Sequence, residues 1–472
     1  MNASIPSAVD RLVQNLEDFD CLKLDNAVEE KYMPSLLRAI RANRTVKSAI
    51  IQLPFPLDLK EDHRRQLLEA IAELPQLTRL NIEYYNLSQR DLDAFVTAMQ
   101  RTRPPLEEFC MWDLQLEGED TALDPLVMML SSLSTLEKVA LGVDNNERGC
   151  PVLSESSLVV LSTNQRLMSL RLANMALNFD RVALLTEALE LNGALKNLEL
   201  HGEELTRDGW VAIAHLLEKN DTLEKFSLFD FKGMDDDGAR ALSNALTQNQ
   251  TLQSLSVEND DDCVSKHGNI VIAQMLQQNA ALRCFCFSSR GLSDDVFVAY
   301  AEALETNRSL VELELGTYGG GGKVSNRGVT AMANMLPHNN ALEKLCMCCQ
   351  QGLDDNGAIA IASALQHNNT LKHLLLEDGD DAVTHRGYEA LVEMLQQNTV
   401  LETMYNENSG NLKLKIDYYL KLNQLGLRSL LLNVNATRAQ FLDAVVSNHE
   451  DLDCLYYMIS MNPSFVSECN YC

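Results

Sequence analysis

The sequence repeats itself about every thirty residues, and this period limits the possible folds more than any other feature. A leading apolar residue, mostly leucine, opens a version of Leu-x-x-Leu-x-Leu thirteen times, at spacings of 28 to 32 residues. The leading residues are Val46, Leu77, Leu106, Leu136, Leu167, Leu195, Leu223, Leu252, Leu282, Leu310, Leu342, Leu371 and Leu401. One such unit alone cannot bury enough apolar surface to offset the entropy lost when its chain is ordered. The units are therefore expected to stack into a solenoid with one continuous core.

Each repeat is predicted to contain one short strand and one helix. In the repeat that begins at Leu195, Leu198 and Leu200 alternate with Glu199, which is typical of a strand with one covered face. A polar turn follows, and residues 239–246 of a later repeat then show apolar residues at helical spacing. Stacked units of this kind place parallel strands side by side and bury both apolar faces between the sheet and the helices.

A glycine and an asparagine recur at fixed positions between the strands. In six linkers a glycine lies eleven residues before the asparagine that precedes the next strand: Gly209, Gly238, Gly268, Gly328, Gly357 and Gly387. This placement predicts a fixed backbone role where the loop enters the helix. The recurring asparagines fall in Asn-x-Ser/Thr sequons at Asn220, Asn249 and Asn307, and we interpret them as structural residues and not as glycosylation sites.

One strand and one helix per thirty residues resembles the ribonuclease-inhibitor-like leucine-rich repeat. The resemblance covers about residues 19–408 and implies an α/β leucine-rich-repeat solenoid, a horseshoe with an inner parallel β-sheet, outer helices and a helical C-terminal cap. We expect an N-terminal cap over 1–42, an array of about thirteen repeats over 43–408 and a helical C-terminal cap over 409–472. Three positions after the last strand leucine the family usually has Asn or Cys, whereas this chain has residues such as Met175 and Phe231. The family's usual asparagine ladder is therefore not predicted in that turn.

The chain is strongly acidic. It has 39 Lys and Arg residues against 67 Asp and Glu residues, which gives a net charge of −28. Such a surface repels nucleic acid and anionic membrane and favours a protein partner with a basic surface; the alternative is that the charge serves solubility alone. The sequence shows no export signal and no apolar run long enough to span a bilayer. We expect a cytoplasmic protein, with the nucleus as the alternative compartment, and its oligomeric state is left open.

The sequence predicts no cofactor, no metal site and no enzymatic activity. Its twelve cysteines are spread over the repeats and are expected to be reduced, because they do not form a compact disulfide framework. Residues 319–323 are similar to a phosphate-binding loop, but Val324 replaces the hydroxyl residue that would hold magnesium. Cys-x-x-Cys pairs occur at Cys346/Cys349 and Cys469/Cys472, but zinc would need four thiolates to converge, and the predicted fold keeps these pairs apart. We find no calcium loop and no catalytic motif in the sequence.

The candidate binding residues are the exposed positions of the strands. Because strand residues alternate between faces, those between and after the buried leucines are predicted to line the concave surface. The predicted protein-binding residues are Tyr84, Trp112, Arg171, Glu199, His201, Phe229, Glu258, Glu314, Glu377, Tyr405 and Glu407. Aromatic residues among acids are typical of protein-binding surfaces. For Trp112 and Phe229 the alternative is a ring that folds back against a neighbouring loop.

Two classes of function fit these observations. The first is a non-catalytic interaction scaffold or sensor that binds a protein partner on the concave face. The resemblance also implies two alternatives: a GTPase-activating protein of the Ran-activator type, or a ribonuclease-inhibitor-like inhibitor of a basic protein. The Ran activators end in a long acidic tail, whereas this sequence ends in an apolar segment that includes Tyr456 and Tyr457, so we favour the scaffold. A GTP-turnover assay separates the scaffold from the activator.

Overall fold

The structure is a computed structural model that describes residues 20–24, 30–52, 60–117, 123–144, 153–175, 177–202, 205–259, 263–316, 324–349, 353–378, 383–404 and 412–427. The chain forms two compact units, Met1–Met234 and Asp235–Cys472. In both units a strand is followed by a turn and a helix, and this order recurs along the chain.

The first unit contains a parallel sheet in which consecutive repeat strands are neighbours. The sheet order is β1-β2-β3-β5-β6-β7-β8-β9, and the short β4 pairs with the end of β5. The strands are β1 Cys21–Leu24, β2 Ser48–Gln52, β3 Arg79–Glu83, β4 Asn86–Ser88, β5 Glu108–Glu117, β6 Lys138–Val143, β7 Ser169–Ala173, β8 Asn197–His201 and β9 Lys225–Phe229. The helices are α1 Met33–Ala42, α2 Glu61–Ala72, α3 Gln89–Thr102, α4 Asp124–Ser131, α5 Glu155–Ser162, α6 Phe179–Glu190 and α7 Arg207–Lys219.

The second unit repeats the same arrangement. Its strands pair in parallel in the order β10-β11-β12-β13-β14-β15. They are β10 Ser254–Asn259, β11 Cys284–Ser289, β12 Glu312–Gly316, β13 Lys344–Cys349, β14 His373–Asp378 and β15 Thr403–Met404. The helices are α8 Asp236–Gln248, α9 Lys266–Met275, α10 Asp294–Thr306, α11 Asn326–Met335, α12 Asp355–Leu365, α13 His385–Leu395 and α14 Lys413–Gln424.

The repeat leucines form the core of each unit. Leu195, Leu198 and Leu200 are at most 2% exposed, whereas Glu199 between them is half-buried on the other face of the strand. Within each unit, neighbouring helices pack against one another on the side of the buried leucines. The predicted α/β leucine-rich-repeat solenoid, with a parallel sheet and a layer of helices, is confirmed.

An asparagine ladder joins consecutive repeats at the turn that leads into each strand. Asn368 is typical: its Oδ1 accepts the backbone N–H groups of Thr370 (3.0 Å) and Leu371 (2.8 Å). Its Nδ2 donates to the carbonyl oxygens of Leu336 (2.6 Å) and Asn339 (3.2 Å) in the preceding repeat. The same Oδ1 contacts recur at Asn43, Asn164, Asn192, Asn220, Asn249, Asn279, Asn307, Asn339 and Asn398. The structural interpretation of these asparagines is confirmed, because a short amide satisfies buried backbone groups on both sides of the turn.

The recurring glycines lie where predicted, in the first turn of a helix, but for a different reason. Among the described glycines only Gly233 and Gly426 have a positive φ, so the recurring ones do not supply left-handed backbone. Instead, a Cβ at Gly268 would lie 2.5 Å from Oδ1 of Asp236, the first residue of the preceding helix. A Cβ at Gly387 would lie 2.7 Å from Oδ1 of Asp355. At Gly268, Gly328, Gly357 and Gly387, glycine is favoured because helix starts of adjacent repeats approach each other closely, whereas a Cβ at Gly209 would meet only Leu205 of its own repeat.

The acids at these close approaches cap the helix of the next repeat. Asp355 accepts hydrogen bonds from the backbone N–H (2.7 Å) and the hydroxyl (2.6 Å) of Thr384, the residue that precedes α13. Asp236 makes the equivalent pair with Ser265, which precedes α9. Negative charge is favourable at a helix N-terminus, so these contacts stabilise each helix start and link neighbouring repeats.

The turns after the strands are filled by apolar side chains in place of the family's Asn or Cys. Met175 and Phe231 are fully buried there. The backbone at this corner takes the left-handed conformation at Tyr84, Asp113, Asn174 and Asp230, with φ between 51° and 61°. These four residues share one repeat position, seven residues after the leading apolar residue, whereas Val143, Gly202, Asn259 and Ser289 occupy that position without the left-handed conformation.

The described part of the predicted C-terminal cap lies against the last repeat. In α14, Asn423 donates to the carbonyl oxygens of Asn398 (3.2 Å) and Leu401 (2.8 Å), which extends the asparagine ladder by one further amide. Residues 428–472 of this predicted cap and residues 1–19 of the N-terminal cap lie outside the described residues. Within the described residues, no helix is long and apolar enough to cross a membrane. Among the described side chains, the thiols of Cys21, Cys110, Cys286 and Cys346 are free.

Candidate functional site

Five of the predicted binding residues meet on the open face of the first unit's sheet, the face opposite the buried leucines. Parallel register pairs Arg171 with Glu199 and, at the next exposed position, places His201 beside Phe229. Trp112 occupies the position on β5 that corresponds to His201 and Phe229. We call these five residues the Trp112 cluster.

A bulge in β5 positions Trp112. The pairing between β5 and β6 shifts register between Met111 and Leu114, and Asp113 within the shift has a φ of 51°. Bulges bend a strand and redirect its side chains. The Trp112 indole lies across β6 over Gly142, where a Cβ would approach the ring atom Cε3 to 2.7 Å. The ring therefore covers a neighbouring strand instead of standing out from the sheet, and only glycine at 142 leaves room for it.

Arg171 is held between an aromatic ring and a carboxylate. Its guanidinium carbon is 3.6 Å from the centroid of the Trp112 ring, and its Nε is 2.5 Å from Oε1 of Glu199. Burial alone would raise the pKa of Glu199, but the hydrogen bond with His201 and the charge of Arg171 outweigh it, so the pKa lies below its ordinary value. The cation–π contact and the ion pair fix the Arg171 side chain before any partner arrives.

His201 connects the two aromatic ends of the cluster. Its Nε2 lies 2.7 Å from Oε1 of Glu199. Its ring contacts Trp112 edge-on at a centroid distance of 5.6 Å and lies 4.8 Å from the Phe229 ring. The His201 side chain is 18% exposed, compared with 40% for Arg171, so it serves as a packed centre between Arg171, Trp112 and Phe229. The result is one continuous surface of aromatic rings with a half-buried charge pair.

Carboxylates surround this surface where the strands end. We call Glu83, Asp113, Asp144 and Asp230 the anionic edge. Partial burial raises the pKa of Asp113, and the nearby charges of Asp144 and Glu83 raise it further, so these acids repel one another. Asp230 has an Oδ2 atom 4.0 Å from Nδ1 of His201. The predicted binding residue Tyr84 lies at the same edge, with 49% of its surface exposed.

A depression of about 330 Å³ lies beside the cluster on the same open face. Such a volume is near the lower limit for sites that hold a small molecule or a side chain. Cys110 lines the depression, and burial raises the pKa of its thiol to about 11. The thiol therefore stays protonated and unreactive at neutral pH. The charged and thiol-bearing residues that line the depression are Glu108, Cys110, Lys138, Arg171, Glu199 and Lys225.

The remaining predicted binding residues belong to the second unit. Glu258 is half-buried on β10, and Glu314 on β12 pairs in register with Cys286 and Cys346. Glu377 lies in β14, but its side chain is outside the described residues. Tyr405 and Glu407 lie entirely outside them.

The arrangement supports non-covalent binding. In the part of the chain that the structure describes, no group of three or more His, Cys, Asp or Glu side chains could hold a metal ion. The candidate phosphate-binding loop at residues 319–323 is outside that part. The prediction of no catalytic role therefore stays a prediction.

Sequence reasoning missed the residues that build the cluster from below. Gly142 and Ala173 occupy the two strands between Trp112 and His201, at equivalent repeat positions, and their small side chains leave space for the indole. This signal was present in the aligned repeats, because two small residues follow a tryptophan at the same repeat position. The bulge at Asp113 had no such signal, since a single added residue does not disturb the leucine period.

No protein-family model matches the chain. Among curated proteins, the chain is 32% identical over 193 residues to "NACHT, LRR and PYD domains-containing protein 14" of Mus musculus. The match covers 39% of this chain and 18% of that protein, so the chain spans less than a fifth of its length.

Among solved structures, the chain is similar to a chain of the yeast Rad7 and Elc1 complex, with 17% sequence identity and a TM-score of 0.48. The match covers 87% of this chain and 89% of the chain in that complex. It is also similar to leiomodin-1 actin-binding site 2, with 18% identity, a TM-score of 0.28 and coverage of 40% and 91%. Neither TM-score is high enough to establish a shared fold.

The family assignment depends on the repeats, the strand-and-helix units that they form, and the relative with leucine-rich repeats. The leucine at each strand start is buried, the strands pair in parallel, and each is followed by a helix of the outer layer. The name of the mouse relative includes LRR, the abbreviation for leucine-rich repeat. The chain is a leucine-rich-repeat protein.

Proposed function

We propose that the chain is a non-catalytic interaction scaffold or sensor that binds a protein partner on the open face of its first unit. The observation that carries this proposal is the Trp112 cluster, in which two aromatic rings, a histidine and an arginine–glutamate pair form one ordered surface. Tryptophan and arginine are the residue types most enriched among those that dominate binding energy at protein interfaces.

The order within the cluster favours binding. Arg171 contacts both the Trp112 ring and Glu199, and His201 contacts Glu199 and both aromatic rings. Ordering a long side chain on binding costs about 0.5–1.5 kcal/mol. Since these contacts already fix the side chains, a partner that covers the cluster avoids most of that cost.

The anionic edge favours a partner with basic residues. Asp113 and Asp230 flank Trp112 and Phe229 directly along the chain, so a partner that contacts the rings also approaches the carboxylates. Opposite charge around an apolar centre increases the association rate and selects the partner more than it adds affinity. Binding is therefore expected to weaken as ionic strength rises.

Quantitative affinity capture from a cell lysate tests the proposal. The wild-type chain is compared with a Trp112→Ala, Phe229→Ala variant and with a control, Leu191→Ala, Val211→Ala. The control also removes two exposed apolar side chains from the first unit, but from helix α7 and the end of helix α6. Circular dichroism establishes that all three chains are folded to the same extent.

We expect the cluster variant to lose a partner that the wild type and the control both retain. Truncation of one central aromatic residue typically costs 2 kcal/mol or more, which is roughly thirtyfold in affinity. Equal retention of every captured protein by the three chains would contradict the proposal and would exclude the cluster as the binding centre.

We further propose a reducing cellular compartment, the cytoplasm or nucleus, and assign the repeats to the ribonuclease-inhibitor-like subtype. The free thiols of Cys110, Cys286 and Cys346 in the strands and the buried sequon asparagines in the ladder support the first assignment. A full helix after most strands supports the second.

A further inference from the structure

The open face of the first unit carries opposite charge at the two ends of its strands, although the whole chain is strongly acidic. At the strand starts lie Arg79, Glu108, Lys138 and Lys225, which sum to +2 (three cations and one carboxylate). Just past the strand ends lies the anionic edge. The surface is thus polarised along the strand direction.

The charges at the strand starts are only partly neutralised. Glu108 is shared, since Lys138 lies 2.5 Å from its Oε1 and Arg79 lies 3.7 Å from its Oε2. Lys225 forms no ion pair with the described residues. Lys138 and Lys225 both line the depression, where Arg171 is already paired with Glu199. The depression therefore has a surplus of positive charge that suits a carboxylate.

Within the described residues, no lysine or arginine forms an ion pair with Glu83 or Asp230 of the anionic edge. Glu83 accepts hydrogen bonds from the neutral amides of Gln52 (2.7 Å) and Asn81 (2.7 Å). Asp230 is 74% exposed, and its basic neighbour is His201, whose Nε2 contacts Glu199. These carboxylates can accept a guanidinium or ammonium group at little cost, because they stay accessible to water and to a partner.

The strand length sets the separation of the two charges in the partner. Lys225 starts β9 and Asp230 directly follows it, five residues later, which corresponds to about 16 Å at roughly 3.3 Å per residue. A partner segment would span this distance with about five extended residues or about eleven helical residues. The Trp112 cluster lies between the two charged regions.

We propose that the partner segment is bipolar, with an acidic side chain for the depression at Lys138 and Lys225 and a basic side chain for Asp113 and Asp230. An apolar residue between them would cover the Trp112 cluster. This inference rests on the proposed function, since it assumes that the open face of the first unit binds a protein. It adds the charge order of the bound segment and the direction in which the segment crosses the sheet.

Selection from a displayed library of random peptides of about twelve residues tests the inference, because such peptides span the face in either conformation. Selections run in parallel on the wild type, Trp112→Ala, Lys225→Glu and the control Lys219→Glu. The two charge reversals change the net charge equally, from −28 to −30 (−28 − 2), but Lys219 ends helix α7. Enriched peptides are then measured by fluorescence anisotropy.

We expect wild-type selection to enrich peptides with one acidic and one basic position at the stated separation. Lys225→Glu should remove the acidic preference and weaken a selected bipolar peptide about tenfold, because an attraction becomes a repulsion, while Lys219→Glu changes neither. Enrichment of basic peptides alone that still depends on Trp112 would overturn the bipolar order but leave the proposed function intact. Enrichment that is the same on the Trp112→Ala variant, or none at all, would overturn both.

Discussion

Replacement of one rung of the asparagine ladder tests how the repeats are held together. Asn368 is 3% exposed, and its amide makes four hydrogen bonds to backbone groups on both sides of the turn. Its neighbour Asn369 is exposed to solvent. Asn368→Ala and Asn369→Ala therefore remove the same amide from adjacent positions, one inside the ladder and one outside.

The four lost hydrogen bonds set the expected magnitude. A typical net contribution of about 1 kcal/mol each gives roughly 4 kcal/mol for Asn368→Ala, within a range of about 2–6 kcal/mol. The cost persists because the N–H groups of Thr370 and Leu371 and two carbonyl oxygens of the preceding repeat would stay buried without a partner. Asn369→Ala should change the free energy of unfolding by less than about 0.5 kcal/mol, as is usual for surface positions.

Urea unfolding followed by circular dichroism measures the difference. In a repeat protein the interfaces between neighbours supply much of the stability, so a weakened rung should lower both the midpoint and the cooperativity of the transition. Hydrogen exchange should show faster exchange at Thr370 and Leu371 in the ladder variant. If Asn368→Ala and Asn369→Ala unfold alike, the backbone groups find other partners and the ladder does not hold the repeats together.

Three further changes test other parts of the structure. Gly268→Ala should destabilise the chain by about 1–3 kcal/mol, because the added Cβ would lie 2.5 Å from Oδ1 of Asp236. Gly193→Ala is the control and should be tolerated, because the atom nearest to its Cβ would be 3.7 Å away. Thermal unfolding of the two variants measures the difference. The pKa of Asp355 lies below its ordinary value, mainly because its carboxylate accepts a hydrogen bond from the Thr384 hydroxyl. The ionised carboxylate therefore stabilises the folded state fully above the unfolded pKa near 4, and this contribution is lost as pH falls through the folded pKa. Asp355→Asn should therefore reduce the acid sensitivity of unfolding below about pH 4, and an unchanged pH profile would contradict the capping role. Redirection of the chain through the secretory pathway should glycosylate the ladder sequons before folding and prevent folding; a folded, glycosylated product, detected by a mobility shift on deglycosylation, would contradict their structural role.

The Trp112 cluster combines local strain with close packing, which is common where a surface binds another molecule. Asp113 is a left-handed, non-glycine residue inside a bulge, and the indole beside it needs a glycine on the next strand. Each feature alone has a structural cost of about 1 kcal/mol or more. The left-handed conformation also occurs at Tyr84, Asn174 and Asp230, so the bulge and the packed indole beside the half-buried pair of Arg171 and Glu199 are the physical reason for proposing this region.

The sequence by itself determined the architecture. A leucine period near thirty residues, with alternation at Leu198 and Leu200 and helical spacing after it, admits only stacked strand-and-helix units, because a single unit cannot bury its apolar faces. The asparagine before each strand was recognisable as structural because it recurs at one position of the repeat. Strand alternation also identified Trp112, Arg171, Glu199, His201 and Phe229 as exposed positions, since side chains on a strand point to opposite faces in turn.

Only the tertiary structure decided how these positions interact. Arg171 and Trp112 are 59 residues apart in sequence (171 − 112), and they meet because the β5 bulge and Gly142 on the one intervening strand, β6, let the indole lie across the sheet. The reason for the glycines at 268, 328, 357 and 387 was likewise tertiary, since it lies in the short distance from each helix start to the first residue of the preceding helix. Periodicity reports which face a residue occupies, whereas contacts between repeats depend on register and on local backbone shape, which a one-dimensional pattern does not contain.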